Sequence, residues 1–265
     1  MNELDLPQIL EQLRQSKTHD TRFNTTWTQG RTAFGGLSGA LAVCGMEKIL
    51  PSPQPIRSLM VSFIAPVPPG KVTVVPEIIR QGKNVTQLTS NLVVDDVICL
   101  QAMAVFGNSR STLEITPDPQ FNPEPRMGKY NLEGHSGKLP AFLHFFEGDW
   151  TGGGIPFSNS KDNRLGIWVK HRSDMSEFPN EKILSIADIP PPVILSHYDK
   201  PYVNASSLTW SLEFVVEPED IKTDWFYLDF VVDHAAHGYT QQSGKVFSED
   251  GRLCALSRQC MVYFD

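Results

Sequence analysis

Phe34-Gly35-Gly36-Leu37-Ser38-Gly39-Ala40-Leu41-Ala42-Val43-Cys44-Gly45-Met46-Glu47-Lys48-Ile49-Leu50 is the stretch on which the fold turns. Its small and apolar residues lie all around a helical circumference, so the helix it predicts must be buried on several sides, best of all against a sheet. Pro51 and Pro53 end it. Strand signals follow: residues 58–65, a Pro-Pro-Gly turn at 68–70, residues 71–80, a turn at Gln81-Gly82-Lys83-Asn84, and two more strands around an Asp95-Asp96 turn. One buried helix therefore precedes a four-stranded meander. Upstream, residues 5–16 predict a short helix, with Asp5 and Gln8 spaced as a capping box and Pro7 tolerated in the first turn.

The second half of the chain repeats the first. Ser58-Leu59-Met60-Val61-Ser62-Phe63 lines up with Ser207-Leu208-Thr209-Trp210-Ser211-Leu212, an offset of 149, and each segment starts a strand after a proline-terminated helix. Asp95-Asp96-Val97-Ile98-Cys99 lines up with Asp250-Gly251-Arg252-Leu253-Cys254, an offset of 155. Two matches in the same order on the same element types point to duplication. The second copy's helix is expected at 181–188, capped by Asn180 and stopped by Pro190-Pro191-Pro192. Residues 107–140 hold five prolines and four glycines without periodicity and read as a linker.

Composition narrows the function classes. The 265 residues suit one large or two small domains, and no apolar run approaches the roughly 18 residues that span a membrane. A formal charge of −7 disfavours general attraction to nucleic acid or an anionic membrane, so an anionic ligand needs a local basic patch. Cys44, Cys99, Cys254 and Cys260 show neither disulfide-scaffold density nor zinc-site pairing and read as reduced core residues. The N-terminal MNELDLPQIL lacks the features of a secretory signal, which makes a cytoplasmic protein the expectation.

Two copies of a helix wrapped by a curved antiparallel sheet describe an α+β, tandem (double) hotdog fold, two antiparallel sheets each wrapping a central helix. Trp27-Thr28-Gln29-Gly30-Arg31-Thr32-Ala33-Phe34-Gly35-Gly36, Arg80-Gln81-Gly82-Lys83-Asn84-Val85, Gly238-Tyr239-Thr240-Gln241-Gln242-Ser243-Gly244 and Glu249-Asp250-Gly251-Arg252-Leu253, in this order, resemble the TesB-like acyl-CoA thioesterases. The resemblance covers about residues 20–106 and 163–264, and it implies an N-terminal hotdog subdomain at 1–110, a linker at 111–140 and a C-terminal hotdog subdomain at 141–265. It further implies hydrolysis of an acyl-CoA thioester to free acid and CoA by a water activated without metal or cofactor. A homodimer of double hotdogs is compatible with it.

In the resembling family an Asp, a hydroxyl residue and a Gln of the second hotdog hold that water. By position the Gln is Gln259, while the Asp and hydroxyl places are taken by Thr209 and Asp233, an exchange that keeps the set if both side chains enter one cavity. Each residue also has a plainer reading: Gln259 as a strand amide bonded to backbone, Thr209 as a β-former, Asp233 as a turn residue before His234 and His237. A metal held by Asp233, His234 and His237 lacks a further ligand cluster. The first copy offers Met60, Gln81 and Ala104 at the corresponding places, a degenerate site. Gly35 and Gly36 bring free backbone N–H groups to a helix N-terminus, able either to polarise the thioester carbonyl or simply to allow close packing.

Coenzyme A carries phosphates, for which Arg80 and Lys83 beside the Gly82 turn are the leading cations, with Arg57, Arg110, Lys170 and Arg172 as others. Trp27, Phe145, Trp150, Phe157 and Trp168 either line an acyl tunnel or belong to the core. Two other functions fit the same pattern: a hotdog enoyl-CoA hydratase or dehydratase, which needs a histidine–carboxylate pair, and a non-catalytic acyl-CoA-binding module.

Overall fold

The computed structural model describes residues 3–115, 120–126, 139–200 and 202–264. Helix α1 (Leu6–Gln15) starts with the expected capping box, Gln8 N donating to Asp5 Oδ1 at 3.1 Å and Asp5 N to Gln8 Oε1 at 3.0 Å. It buries Leu6, Ile9, Leu10 and Leu13 on one face. Strand β1 (Asp20–Phe23) and a short hairpin of β2 (Thr28–Gln29) and β3 (Thr32–Ala33) lead into α2 (Gly35–Ile49), whose residues 36–46 are all buried. Four strands follow, β4 (Ile56–Phe63), β5 (Gly70–Gln81), β6 (Val85–Val94) and β7 (Val97–Gly107), but only β5, β6 and β7 form the expected meander: β4 pairs with β7 and not with β5, because the chain crosses from β4 to the far side of the hairpins. Asp95 and Asp96 both take positive φ, 48° and 64°, the two-residue turn that matches the twist of the flanking strands.

The second half runs β8 (Phe146–Gly153), β9 (Arg164–His171), α3 (Pro179–Ala187), β10 (Asn204–Phe214), β11 (Phe226–Ala236), β12 (Tyr239–Ser248) and β13 (Leu253–Phe264). Helix α3 begins earlier than expected. Phe178 is its N-cap, Pro179 fills the first position where a missing N–H costs nothing, and the Asn180 side chain bonds Glu47 of α2 instead of capping.

The two expected sheets join into one continuous sheet. Its eleven strands run β1-β5-β6-β7-β4-β10-β13-β12-β11-β9-β8, and every neighbouring pair is antiparallel. The seam is β4 against β10, with Val61 opposite Trp210 and Met60 opposite Ser211. Each half ends in an open strand edge, and pairing the two edges satisfies backbone groups that would otherwise template aggregation. Outward from the seam the order on one side is β4, β7, β6, β5, β1 and on the other β10, β13, β12, β11, β9.

Both main helices lie against this sheet and antiparallel to each other. Gly39 of α2 packs on Leu184 and Trp210, Gly36 on the Ser185 carbonyl, and Glu47 on Asn180. The start of α2 therefore meets the end of α3. Of the expected linker, residues 116–119 and 127–138 lie outside the described residues. Phe121 packs edge-on against Trp168 and Tyr227 and tilted against Phe247, and Arg126 lies over the Trp225 ring and pairs with Glu249. Among the described residues, no helix is long and apolar enough to cross a membrane.

Candidate active site

Strand alternation sends every second side chain of β10, β13 and β12 toward the helices. One cross-strand row on that inner face is Trp210, Gln259 and Gln242, each directly opposite the next. Gln259 is 3% exposed and Gln242 is 0% exposed, so both carboxamides require partners inside the protein. They find each other: Gln242 Nε2 donates to Gln259 Oε1 at 2.8 Å. Gln259 then donates its Nε2 to Asp188 Oδ1 at 2.7 Å.

Asp188 is the C-cap of α3, stopped there because Pro190, Pro191 and Pro192 cannot continue a helix. The antiparallel helix pair carries it to the beginning of α2, where the Gly36 N–H donates to its carboxylate. A Cβ on Gly35 would stand 2.5 Å from Asp188 Oδ2, and one on Gly36 would stand 2.8 Å from the Ser185 carbonyl. The two glycines therefore let the helix ends meet. The residue as a whole is half-buried, while its carboxylate is enclosed by these groups. Burial pushes the Asp188 carboxyl up to about 7, against the lowering effect of its bonds from Gly36 and Gln259.

At the opposite end of the helix pair the chemistry differs. Glu47 takes the Asn180 amide, Glu181 is fully buried beside it, and burial holds both carboxyls above their usual range, Glu181 further raised by Glu47. The sheet beneath the first helix presents Leu88, Ser90, Ala102 and Ala104 inward, with no carboxamide among them. Met60, expected at the corresponding place, points outward and is 46% exposed. Of the three counterparts expected in the first half, Ala104 is buried in the sheet, while Met60 and Gln81 are exposed.

The other expected residues do not join Gln259. Thr209 is exposed and pairs with Cys260 across the strands, one position away from the inward Trp210–Gln259 pair, because a bulge between Ser207 and Thr209 sets the alternation. Asp233 is exposed at a bulge of β11 and accepts a hydrogen bond from Ser243 Oγ at 2.5 Å. The exchanged Asp–Thr pair therefore shares no cavity with Gln259. Of the two readings of Gly35 and Gly36, carbonyl polarisation or close packing, both glycines are closely packed, and the Gly36 N–H donates to Asp188. Arg80 and Lys83 come together with Arg110, Asn84 and Gln87 around a cleft of about 300 Å³ at the β5–β6 turn. His171, the buried histidine, faces Ser185 Oγ at 3.0 Å and the Lys182 carbonyl at 3.3 Å, and burial lowers it to about 3. Among the described residues no group of three or more His, Cys, Asp or Glu side chains is placed to hold a metal.

Asp188 and Gln242 were missed by sequence reasoning. A signal existed for the first: Asp188 is the one acidic residue between Glu181 and Asp199, set in a largely apolar stretch. For Gln242 there was none beyond its polarity on a strand, since its inward direction depends on the β12 register.

Comparison with known proteins follows the same lines. A family model described as the acyl-CoA thioesterase N-terminal domain matches residues 23–107, and one described as the acyl-CoA thioesterase C-terminal domain matches residues 114–263. No curated protein matches. Among solved structures, a hot dog fold protein from Alicyclobacillus acidocaldarius is similar at a TM-score of 0.82 and 18% identity, over 93% of this chain and 92% of that one. The acyl-CoA thioesterase II TesB2 from Mycobacterium marinum is similar at 0.72 and 14%, over 96% and 98%. The tesB protein of Mycobacterium avium subspecies paratuberculosis is similar at 0.73 and 16%, over 98% and 100%. At such identities these likenesses establish the hotdog fold.

Proposed function

We propose that this chain, which belongs to the acyl-CoA thioesterase family and is a thioester hydrolase, hydrolyses acyl-CoA with Asp188 as the general base. The supporting observation is the Asp188 carboxylate itself, held by Gln259 Nε2 at 2.7 Å and the Gly36 N–H, with its carboxyl raised to about 7. A base is most effective when its pKa lies near the working pH. Two fixed donors aim the carboxylate and leave it lone pairs for a water.

In this reading Asp188 takes a proton from water as the water oxygen bonds to the thioester carbon. The tetrahedral intermediate then expels the coenzyme A sulfur, which leaves as thiolate and recovers the proton. Asp188 accepts that proton directly, so the step calls on no metal or cofactor. Hydration of an enoyl-CoA is less well supported, because no histidine touches Asp188 among the described residues.

The repeated strand order about the β4–β10 seam supports reading the chain as tandem hotdogs, 1–110 and 141–265 joined through 111–140, with only one end of the helix pair equipped for chemistry. Arg80, Lys83 and Arg110 around their cleft suit the phosphates of coenzyme A. The test is thiol release from a panel of acyl-CoA esters by wild type and Asp188→Asn. Release by the wild type and its loss in the variant supports the reading; equal release by both, or none by either, refutes it.

A further inference from the structure

The orientation of a buried carboxamide is set by whichever partner cannot change its polarity. At this site that partner is the Val193 backbone. Val193 opens a short 3-10 turn (Val193–His197) directly after Pro190-Pro191-Pro192, where its N–H has no partner within the turn. It donates to Gln242 Oε1 at 3.0 Å. A backbone N–H only donates, so the oxygen of Gln242 must face it and the Gln242 amino group must face away. The amino group donates to Gln259 Oε1, which leaves Gln259 its own amino group for Asp188 Oδ1. From Asp188 the chain runs five residues on to Val193, so the hydrogen bonds and the peptide close a ring. Gln242 touches neither Asp188 nor, in the mechanism above, any reacting atom.

We propose that Gln242 is a positioning residue: through the Val193 N–H it dictates which side of the Gln259 amide meets Asp188, and so keeps a donor on the base. This rests on the reading of Asp188 as the base. Were Gln259 reversed, its carbonyl oxygen would face the carboxylate, and the ionised form of Asp188 would lose a donor and gain a repulsion. The groups that meet Asp188 from the surrounding elements are the Gly36 N–H of α2 and Gln259 of β13. Charged side chains lie further along: Lys182 and Glu181 sit earlier on α3, Lys182 bonded to Asp224 and Glu181 beside Glu47 of α2. His171 of β9 bonds Ser185.

The test is Gln242→Met, which keeps the length and apolar bulk of the side chain and removes both bonds. Loss of an assured donor to a carboxylate moves its pKa upward by on the order of one pH unit. The acid limb of kcat/KM should rise with it, so that turnover falls roughly 5- to 10-fold at about pH 6.5 and returns to within about twofold of wild type at about pH 9, with KM little changed. A purely structural role would lower turnover equally at both pH values. The Asp188 carboxyl is also followed directly by carbon NMR in selectively labelled protein, without substrate. If the carboxyl titration moves in Gln242→Met while Asp188→Asn remains active, the base assignment fails and the positioning role stands. If neither titration nor acid limb moves, the proposal is overturned. Where Gln242→Met does not fold, Val193→Pro carries the same test: it removes the N–H at a first-turn position that tolerates proline, leaves both glutamines intact, and should shift the carboxyl in the same direction.

Discussion

Asp188→Asn keeps the shape of the side chain, removes its negative charge, and separates two effects that the structure ties together. The first is catalytic: loss of a general base lowers kcat by roughly 10²- to 10⁴-fold. The second is a change in how stability depends on pH. The Asp188 carboxyl titrates at about 7 in the fold against an ordinary value of 3.8, because burial opposes its ionisation. The folded protein therefore holds this proton more tightly than the unfolded chain, and wild-type stability falls as pH rises between those two values. At about 1.4 kcal/mol per pH unit the full difference is about 4 kcal/mol, of which roughly 2–3 kcal/mol falls between about pH 5 and pH 9. Asn does not titrate, so its stability relative to wild type should climb by that amount over the same range. A constant offset of about 1–3 kcal/mol opposes it, since the Asn amino group must face one of two donors, Gln259 Nε2 or the Gly36 N–H. The slope, not the offset, is the measurement, and Glu47 and Glu181 contribute equally to both proteins. Urea denaturation at several pH values gives the slope, and thiol release gives kcat. Parallel stability curves would show that Asp188 does not carry a raised carboxyl, and a kcat within about threefold of wild type would show that it is not the base.

Glu181→Gln replaces a carboxyl that burial and Glu47 hold well above its usual range, so it should raise Tm, by more at about pH 9 than at about pH 5; an unchanged Tm difference across pH refutes the coupling. Asp233→Asn and Thr209→Val, both exposed and away from the Gln259 row, should leave kcat within about twofold, and a loss of 10²-fold in either would restore them to the reaction. Arg80→Glu combined with Lys83→Glu should raise KM for acyl-CoA about tenfold or more with kcat retained, whereas unchanged KM places the coenzyme A phosphates elsewhere than the β5–β6 cleft.

What the chain announced by itself was local or repetitive. The capping box at Asp5 and Gln8, the all-round burial of α2 and the Asp95-Asp96 turn all follow from short-range rules: cap geometry, helical periodicity and turn stereochemistry. The matched Ser-Leu segments fall on β4 and β10, and the matched Asp turns between β6 and β7 and between β12 and β13. Gln259 was also singled out, because its strand position and neighbours survive in the sequence. The partners of Gln259 were not legible. Whether a strand side chain faces core or solvent depends on the register around bulges, and the bulges at Ser207/Thr209 in β10 and Val232/His234 in β11 accompany the outward placement of Thr209 and Asp233. Where the two expected sheets join, at β4 against β10, is a long-range choice made by unsatisfied strand edges. Asp188 acquired its place only when antiparallel packing brought the end of α3 against the start of α2, 152 residues away in sequence at Gly36, and its proton affinity only when that packing removed it from water. A carboxylate's neighbours and its desolvation are properties of the assembled interior, and no window of sequence contains them.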